Sequence, residues 1–286
     1  VKVTKVSGSL GALIEGVQLS DPSTDFDAVY RALLEHEVVF LHDQHLTPEQ
    51  QIELGRRFGT PSIFPVAKMM GATDPTPTVI EDTPDSPNVA DEWHTDVTWI
   101  ECPPKLAILS MEVIPEFGGD TLWASATKAF DVLSPRMKAL MAGATAVHDN
   151  EGFIANLVKK TNNRRHPLVE QLREAYPPVV HPLIRTHPET GRQAIMFAAR
   201  FLRSIEGFSD DESRWLIDFI HHHVQDPSLH CRWSWRAGDV AIWDERSTLH
   251  RAAADHFPQY RRIRRIEVDG DRPYYDPAGR TLAQLG

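Results

Sequence analysis

Short runs of β-branched and aromatic residues, bounded by Pro, Gly and Asp clusters, recur along most of the chain. Val38-Val39-Phe40-Leu41, Thr78-Val79-Ile80, Lys105 to Val113, Asp239 to Trp243 and Ile263 to Val268 read as strands. Trp233-Ser234-Trp235, flanked by Arg232 and Arg236, alternates with period two, and Ala237-Gly238-Asp239 then turns toward Val240. This predicts a β-hairpin. Helical spacing interrupts the strands in four places. Phe26, Val29, Tyr30, Leu33 and Leu34 share one face near 25–36. Thr47-Pro48-Glu49-Gln50 is a capping box with Pro at the first helical position, opening a helix to about Phe58. Residues 126–142 read as helical with a break at Pro135. Ser209-Asp210-Asp211-Glu212 is a second capping box, ahead of Trp215, Leu216, Phe219 and Ile220. The order is not βαβ, so the pattern favours an antiparallel β core with helices outside it. From His148 to Pro182 periodicity is weak and polar residues dominate, which predicts an active-site lid at about 148–180.

Composition narrows the class. With 286 residues, 41% hydrophobic and 24% charged, the chain is neither disordered, collagen-like nor coiled coil. Its length allows two domains, but β cores of this size are often one, and the expectation is a single domain over 1–286. The longest apolar run, Ala194 to Ala199, is far short of a membrane span, and the first ten residues lack a signal-peptide core. A net charge of −10 argues against a general nucleic-acid binder. Two distant cysteines, Cys102 and Cys231, make no disulfide framework and are expected to pack as small apolar residues in a reducing cytoplasm. Against the acidic total stands one basic run, Arg261-Arg262-Ile263-Arg264-Arg265.

Fourteen histidines make a His and carboxylate metal site the chemistry to look for. In Trp93-His94-Thr95-Asp96, a strand would point His94 and Asp96 to one face, as two neighbouring ligands of a facial metal site. The motif alone is weak, since about two such triplets are expected by chance. The other match, His187-Pro188-Glu189, lies in a Pro- and Gly-marked turn and is expected to face solvent. A third ligand is available in His250. Eleven residues later Arg261 offers a fork for a carboxylate, and Gly118-Gly119-Asp120-Thr121 adds a turn and a hydroxyl. His221-His222-His223 ends a helix and reads as solvated surface. Trp93, Trp99, Trp233 and Trp235 read as core or pocket wall.

Trp93 to Asp96, Pro103-Pro104, Gly118 to Trp123, Gly238 to Asp244, His250 to Ala252 and Pro258 to Arg261 together resemble the taurine dioxygenase family. The likeness spans nearly the whole chain. It implies a mainly β fold, a double-stranded β-helix (jelly roll) with flanking helices. It also implies Fe(II) held by His94, Asp96 and His250. Thr121 and Arg261 would grip the distal carboxylate of α-ketoglutarate, and O2 would be the second cosubstrate. Arg265 matches a family arginine that binds the anionic end of the prime substrate in several members. It lies an even step from Arg261 on a strand, so both can face one cavity.

Two departures bear on function. Glu245 stands where the family often has Asn, and is expected to perturb a turn and not the ligands. Ile63 to Ala67, together with Ala90, is apolar where taurine enzymes are polar. The implied substrate is therefore a small anion with a larger apolar body: a sulfonate, sulfate ester or aryloxy carboxylate. Phe64, Val97, Asn150 and Met196 are expected to shape its pocket. The resemblance further suggests a homodimer or homotetramer, with no nucleic acid or membrane as partner. Two other readings are a jelly-roll sensor without turnover and a metal-dependent hydrolase. The second leaves Arg261 and Thr121 without a task.

Overall fold

The computed structural model describes residues 1–84 and 90–285. In chain order its strands begin with β1 (Lys2–Lys5), β2 (Ala12–Glu15), β3 (Val38–Leu41), β4 (Thr78–Asp82), β5 (Leu106–Val113) and β6 (Thr121–Ser125). Next come β7 (Thr145–His148), β8 (Val179–Pro182), β9 (Ile184–Thr186), β10 (Gln193–Ile195) and β11 (Leu202–Ile205). The last are β12 (His230–Trp233), β13 (Val240–Asp244), β14 (Thr248–Ala252) and β15 (Arg261–Val268). The helices are α1 (Phe26–His36), α2 (Pro48–Phe58), α3 (Pro65–Met69), α4 (Ala126–Asp131), α5 (Pro135–Met141), α6 (Glu151–Thr161), α7 (Pro167–Ala175), α8 (Asp210–His223) and α9 (Leu282–Leu285). None of the described helices is long and apolar enough to cross a membrane.

A seven-stranded sheet, β1-β2-β3-β13-β5-β15-β4, faces a three-stranded sheet, β12-β6-β14, in the jelly-roll arrangement. Aromatic residues fill the space between them, including Phe40, Trp123, Trp233 and Trp243. Phe40 stacks on Trp233 at 4.1 Å and meets Trp123 edge-on at 5.3 Å. Outside the large sheet, α1 and α2 bury Val29, Leu33, Leu54 and Phe58. Outside the small one, α4 and α8 bury Ala129, Leu216 and Ile220. Both capping boxes form: Thr47 and Gln50 bond reciprocally at the start of α2, and Ser209 and Glu212 at the start of α8. The helix over 126–142 does break before Pro135.

The structure departs from the sequence reading in five places. β12 and β13 are not a hairpin, because β12 pairs with β6 while β13 lies between β3 and β5. The Ala237-Gly238-Asp239 turn instead crosses between sheets. Gly238 is required there, with φ +83 and its Cβ position 2.4 Å from the His45 ring. The 148–180 stretch is two helices, α6 and α7, enclosed by the antiparallel strands β7 and β8. They fully bury only Ile154, Val169 and Leu172, with Phe153, Leu157, Val158 and Leu168 half-buried beside them. His187 is buried, its ring 3.0 Å from Asp244 Oδ2, and Glu189 accepts from Tyr30 and Arg246. His187 therefore faces a buried carboxylate, while Glu189 stays exposed. Cys231 is buried as expected, but Cys102 is exposed. In the histidine triplet only His222 is exposed, since His223 donates to the Ala129 carbonyl at 2.8 Å and His221 stacks on Phe197.

The two strands that flank α6 and α7 each bring a buried histidine under residues 98–100. His148 Nδ1 lies 2.9 Å from Thr98 Oγ1, and His181 Nε2 donates to the Thr98 carbonyl at 2.9 Å. Burial pushes His148 down to about 3 and His181 down to about 4, from 6.5. Both must take up protons on unfolding between those values and 6.5, so stability falls as pH drops through that window. His148→Gln is expected to lower the pH slope of stability between pH 6 and 4 by about 1.4 kcal/mol per unit. Urea midpoints measured across that range for both proteins check it; parallel slopes refute it.

Candidate metal centre

His94 is a one-residue strand between β14 and the segment after β10, bridged to His250 on one side and Ala198 on the other. Its backbone N–H donates to the His250 carbonyl at 3.1 Å, and the His250 N–H returns the bond at 2.8 Å. The two histidines are thus a hydrogen-bonded antiparallel pair, whose side chains stand on one face. Their ring centroids are 4.2 Å apart. Asp96 reaches the same face by a turn, not by strand alternation. The turn starts at Asp96 and holds the β-branched Val97 at φ +52, a costly conformation. Asp96 Oδ1 lies 3.5 Å from His94 Nε2, and Oδ2 lies 3.8 Å from His250 Nε2. One ligand atom from each of the three lies within 4.8 Å of the others.

The donor chemistry fits a divalent iron. His94 Nδ1 donates to the Glu92 carbonyl at 2.8 Å, which leaves the Nε2 lone pair facing Asp96. Burial, reinforced by His94, pushes the His250 imidazole well below its ordinary range, so it is neutral and free to ligate. Burial alone would raise Asp96, but the Arg265 guanidinium beside it outweighs burial and holds the carboxyl ionised. Arg265 Nη1 donates to Asp96 Oδ2 at 2.7 Å, and Nη2 lies 3.1 Å from Glu267 Oε1. The guanidinium expected to meet substrate is therefore gripped by two carboxylates beside the ligand set. Glu245 stands in the turn between β13 and β14, as expected, but it also touches the ligand set. It is buried, accepts the Asp96 N–H at 3.0 Å through Oε2, and accepts Trp243 Nε1 at 2.6 Å through Oε1.

A small cavity joins these ligands to Arg261. It is lined by His94 and His250 at one end, Thr121 and Arg261 at the other, with Trp243, Ile263 and Arg265 between. Arg261 and Arg265 thus face one space, as their spacing predicts. Thr121 Oγ1 accepts from Trp235 Nε1 at 3.0 Å and lies 3.4 Å from Arg261 Nη2. Gly119, at φ +71, lets the chain pass over Arg261, since a Cβ there would come within 3.2 Å of its Cδ. Arg261 Nε is buried without a partner, as expected of a donor reserved for a carboxylate.

A larger cavity of about 360 Å³ opens beside His94 and Asp96. Phe64 and Val97 are in its wall, with Trp99, Phe153 and Phe201. Asn150 and Met196 are not. Asn150 is buried at the start of α6, donating to the Leu172 carbonyl, and Met196 is buried where its N–H bonds Leu183. Phe153, Asn156 and Lys160 reach the cavity from α6, and sequence reasoning missed them with the helix itself. Their i, i+3, i+7 spacing is the signal that was there to read.

A jelly roll presenting two histidines and a carboxylate on one face, with a buried arginine across a connecting cavity, is the frame of an Fe(II)- and α-ketoglutarate-dependent oxygenase. The family model described as "Taurine catabolism dioxygenase TauD, TfdA family" matches residues 2–266, and the chain belongs to that family. It is 34% identical over 278 residues to an alkylsulfatase of Acinetobacter baylyi, covering 95% of this chain and 86% of that one. It is 35% identical over 279 residues to an α-ketoglutarate-dependent sulfate ester dioxygenase of Pseudomonas putida, covering 95% and 90%. A taurine dioxygenase structure from Burkholderia xenovorans superposes with TM-score 0.76 at 33% identity, covering 98% and 94%. The protein is a non-heme dioxygenase whose cofactors are Fe(II), α-ketoglutarate and O2.

Glu245→Ala would leave the Asp96 N–H and the Trp243 indole N–H buried without acceptors. The expected result is a loss of about 2–3 kcal/mol in stability and about tenfold weaker Fe(II) binding. Denaturant unfolding and anaerobic Fe(II) titration check both; unchanged iron affinity would rule out a supporting role at Asp96.

Proposed function

We propose that this dioxygenase hydroxylates a carbon of a small organic anion with an apolar body: a sulfate ester, sulfonate or aryloxy carboxylate. The observation that carries the reading is the larger cavity, which opens on the ligand face and pairs aromatic walls with cations. Its volume lies at the low end of the ~300–1,000 Å³ usual for small-molecule sites. Phe64, Val97, Trp99 and Phe153 suit an apolar body. Arg265 stands at the inner end, as the substrate anchor. Lys160, exposed on α6, has no ion pair among the described residues, while Arg200 is matched by Asp91 and Glu92. The relatives named for alkyl sulfates and sulfate esters support this class.

Bound together, Fe(II), α-ketoglutarate and O2 supply the oxidising power, with succinate and carbon dioxide as coproducts. The chain's own work is placement. His94, Asp96 and His250 would hold the metal from one side, which would leave room for the cosubstrates. Arg261 and Thr121 hold the far carboxylate of α-ketoglutarate. The aromatic wall excludes water and aims the substrate carbon at the open face. We take residues 1–286 as one domain in which α6 and α7 form the lid. Phe153 of that lid meets Phe64 at 5.9 Å and Trp99 at 6.0 Å, and Tyr176 donates to the Pro65 carbonyl.

Anaerobic addition of Fe(II) and α-ketoglutarate is expected to give a weak visible charge-transfer band that His94→Ala abolishes. Under air, a panel of alkyl sulfates, sulfonates and aryloxyalkanoates should yield succinate with at least one member. Binding without succinate would favour a sensor, and oxygen-independent product release a hydrolase. Lys160→Glu should raise KM for the anionic substrate about three- to tenfold with kcat retained, as expected of a charge at the mouth.

A further inference from the structure

Arg261 is buried within an unusual concentration of polar atoms that lack hydrogen-bond partners. They include Arg261 Nε, Asp82 Oδ1 and both ring nitrogens of His256. Buried polar groups are normally satisfied, so such a cluster calls for a role. Asp82 ends β4 directly opposite Arg261 in the register with β15. Its Oδ2 lies 3.4 Å from Arg261 Nη1 and 3.3 Å from His256 Nε2, and the three side chains are each no more than 2% exposed. Asp82 also stands in the wall of the larger cavity, while Arg261 lines the smaller one, so the carboxylate marks the partition between them.

We propose that Asp82 and His256 are positioning residues that hold the Arg261 guanidinium for the far carboxylate of the cosubstrate, and so set the preference for a 2-oxo diacid over a 2-oxo monoacid. This rests on the reading of Arg261 given above. An arginine side chain has many rotamers, and that freedom must be removed before its fork can grip a carboxylate in one geometry. Asp82 fixes the Nη1 corner, and Thr121 meets the Nη2 corner at 3.4 Å. Nε then remains for the incoming anion. His256 matters because an aspartate with no other partner would spend its full charge on Arg261 and weaken its hold on a second carboxylate. The imidazole, 3.3 Å from Oδ2, is placed to share that carboxylate. It sits in the loop between β14 and β15, so the three groups converge from two edges of the fold.

Calorimetric titration of the anaerobic Fe(II)-loaded protein tests this with two ligands. α-Ketoglutarate carries both carboxylates, and 2-oxopentanoate keeps the 2-oxo acid head without the far one. Asp82→Asn should weaken α-ketoglutarate binding about tenfold, in line with other supporting-residue losses, and leave 2-oxopentanoate within about twofold. In turnover, KM for α-ketoglutarate should rise while kcat holds. His256→Phe should act in the same direction, and His256→Gln, which restores a donor, should recover much of the loss. Arg261→Leu is the reference and should abolish the diacid preference. The inference is overturned if Asp82→Asn and His256→Phe bind α-ketoglutarate like the parent, or weaken both acids equally, while Arg261→Leu loses the preference. A diacid preference that survives Arg261→Leu would instead defeat the reading of Arg261 itself. If Asp82→Asn does not fold, the two His256 variants decide the matter alone.

Discussion

The reciprocal backbone pair between His94 and His250 is the constraint on which the site depends. Two hydrogen bonds between directly opposed residues fix the relative position of two ligands that lie 156 residues apart in the sequence. No side-chain packing could hold the rings at 4.2 Å with the same economy of freedom, because a β ladder leaves χ1 and χ2 as the only variables. The pair also sets where everything else must stand. β6 has to lie on the far side of β14, which brings Trp123 opposite His250 and Thr121 opposite Ala252. Thr121 is thereby delivered to the arginine end of the same cavity that His250 opens.

Asp96 could not have joined that pair as a third strand position. The ladder ends at His94, and the chain must turn to bring a carboxylate back beside the rings. The turn forces Val97 into left-handed backbone, and such strain persists only where surroundings over-determine it. Here those surroundings are identifiable. Glu245 holds the Asp96 N–H, Thr95 Oγ1 donates to the Thr248 carbonyl, and the two histidines of β7 and β8 grip residues 98–100 from beneath. The lid strands therefore do more than carry the lid. They brace the turn that presents the third ligand, which links α6 and α7 to the metal face through the backbone.

Much of this was legible in the sequence, and the limits have physical causes. Capping boxes announced α2 and α8 because their chemistry is local. His94, Asp96, His250, Thr121 and Arg261 stand in spaced motifs, and the structure brings four of them to one cavity, with Asp96 beside His94 in the wall of its neighbour. Period-two alternation at Trp233 and Trp235 correctly reported inward-facing positions, but alternation does not name a partner strand, and β12 joined the other sheet. α6 and α7 do carry apolar stripes, Phe153, Ile154 and Leu157 on one and Leu168, Val169 and Leu172 on the other, but the polar run Lys159 to His166 between them masked both helices and the wall residues of α6. His187 and Glu245 failed differently. Each is polar, and each finds its partner across tens of residues or more: Asp244 and the Asp96 backbone. Sequence spacing says little about polar pairs that tertiary packing creates.

The acidic total and the anionic ligands are compatible for the same reason. Exposed carboxylates act over roughly 8 Å at physiological salt, so most of the −10 is screened before it reaches the interior. What an entering anion meets is the buried set, and there the signs are adjusted by environment. Burial, with Asp96 nearby, raises Glu245 well above the ordinary carboxylate range and Glu267 to about 7. Asp96 is driven the other way by Arg265. One carboxylate is thus kept charged for the metal while two neighbours are eased toward neutrality, which spares the field of Arg261 and Arg265. In a site that must admit a dianion beside an acidic ligand, this division of charge among buried carboxylates counts for more than the net charge of the chain.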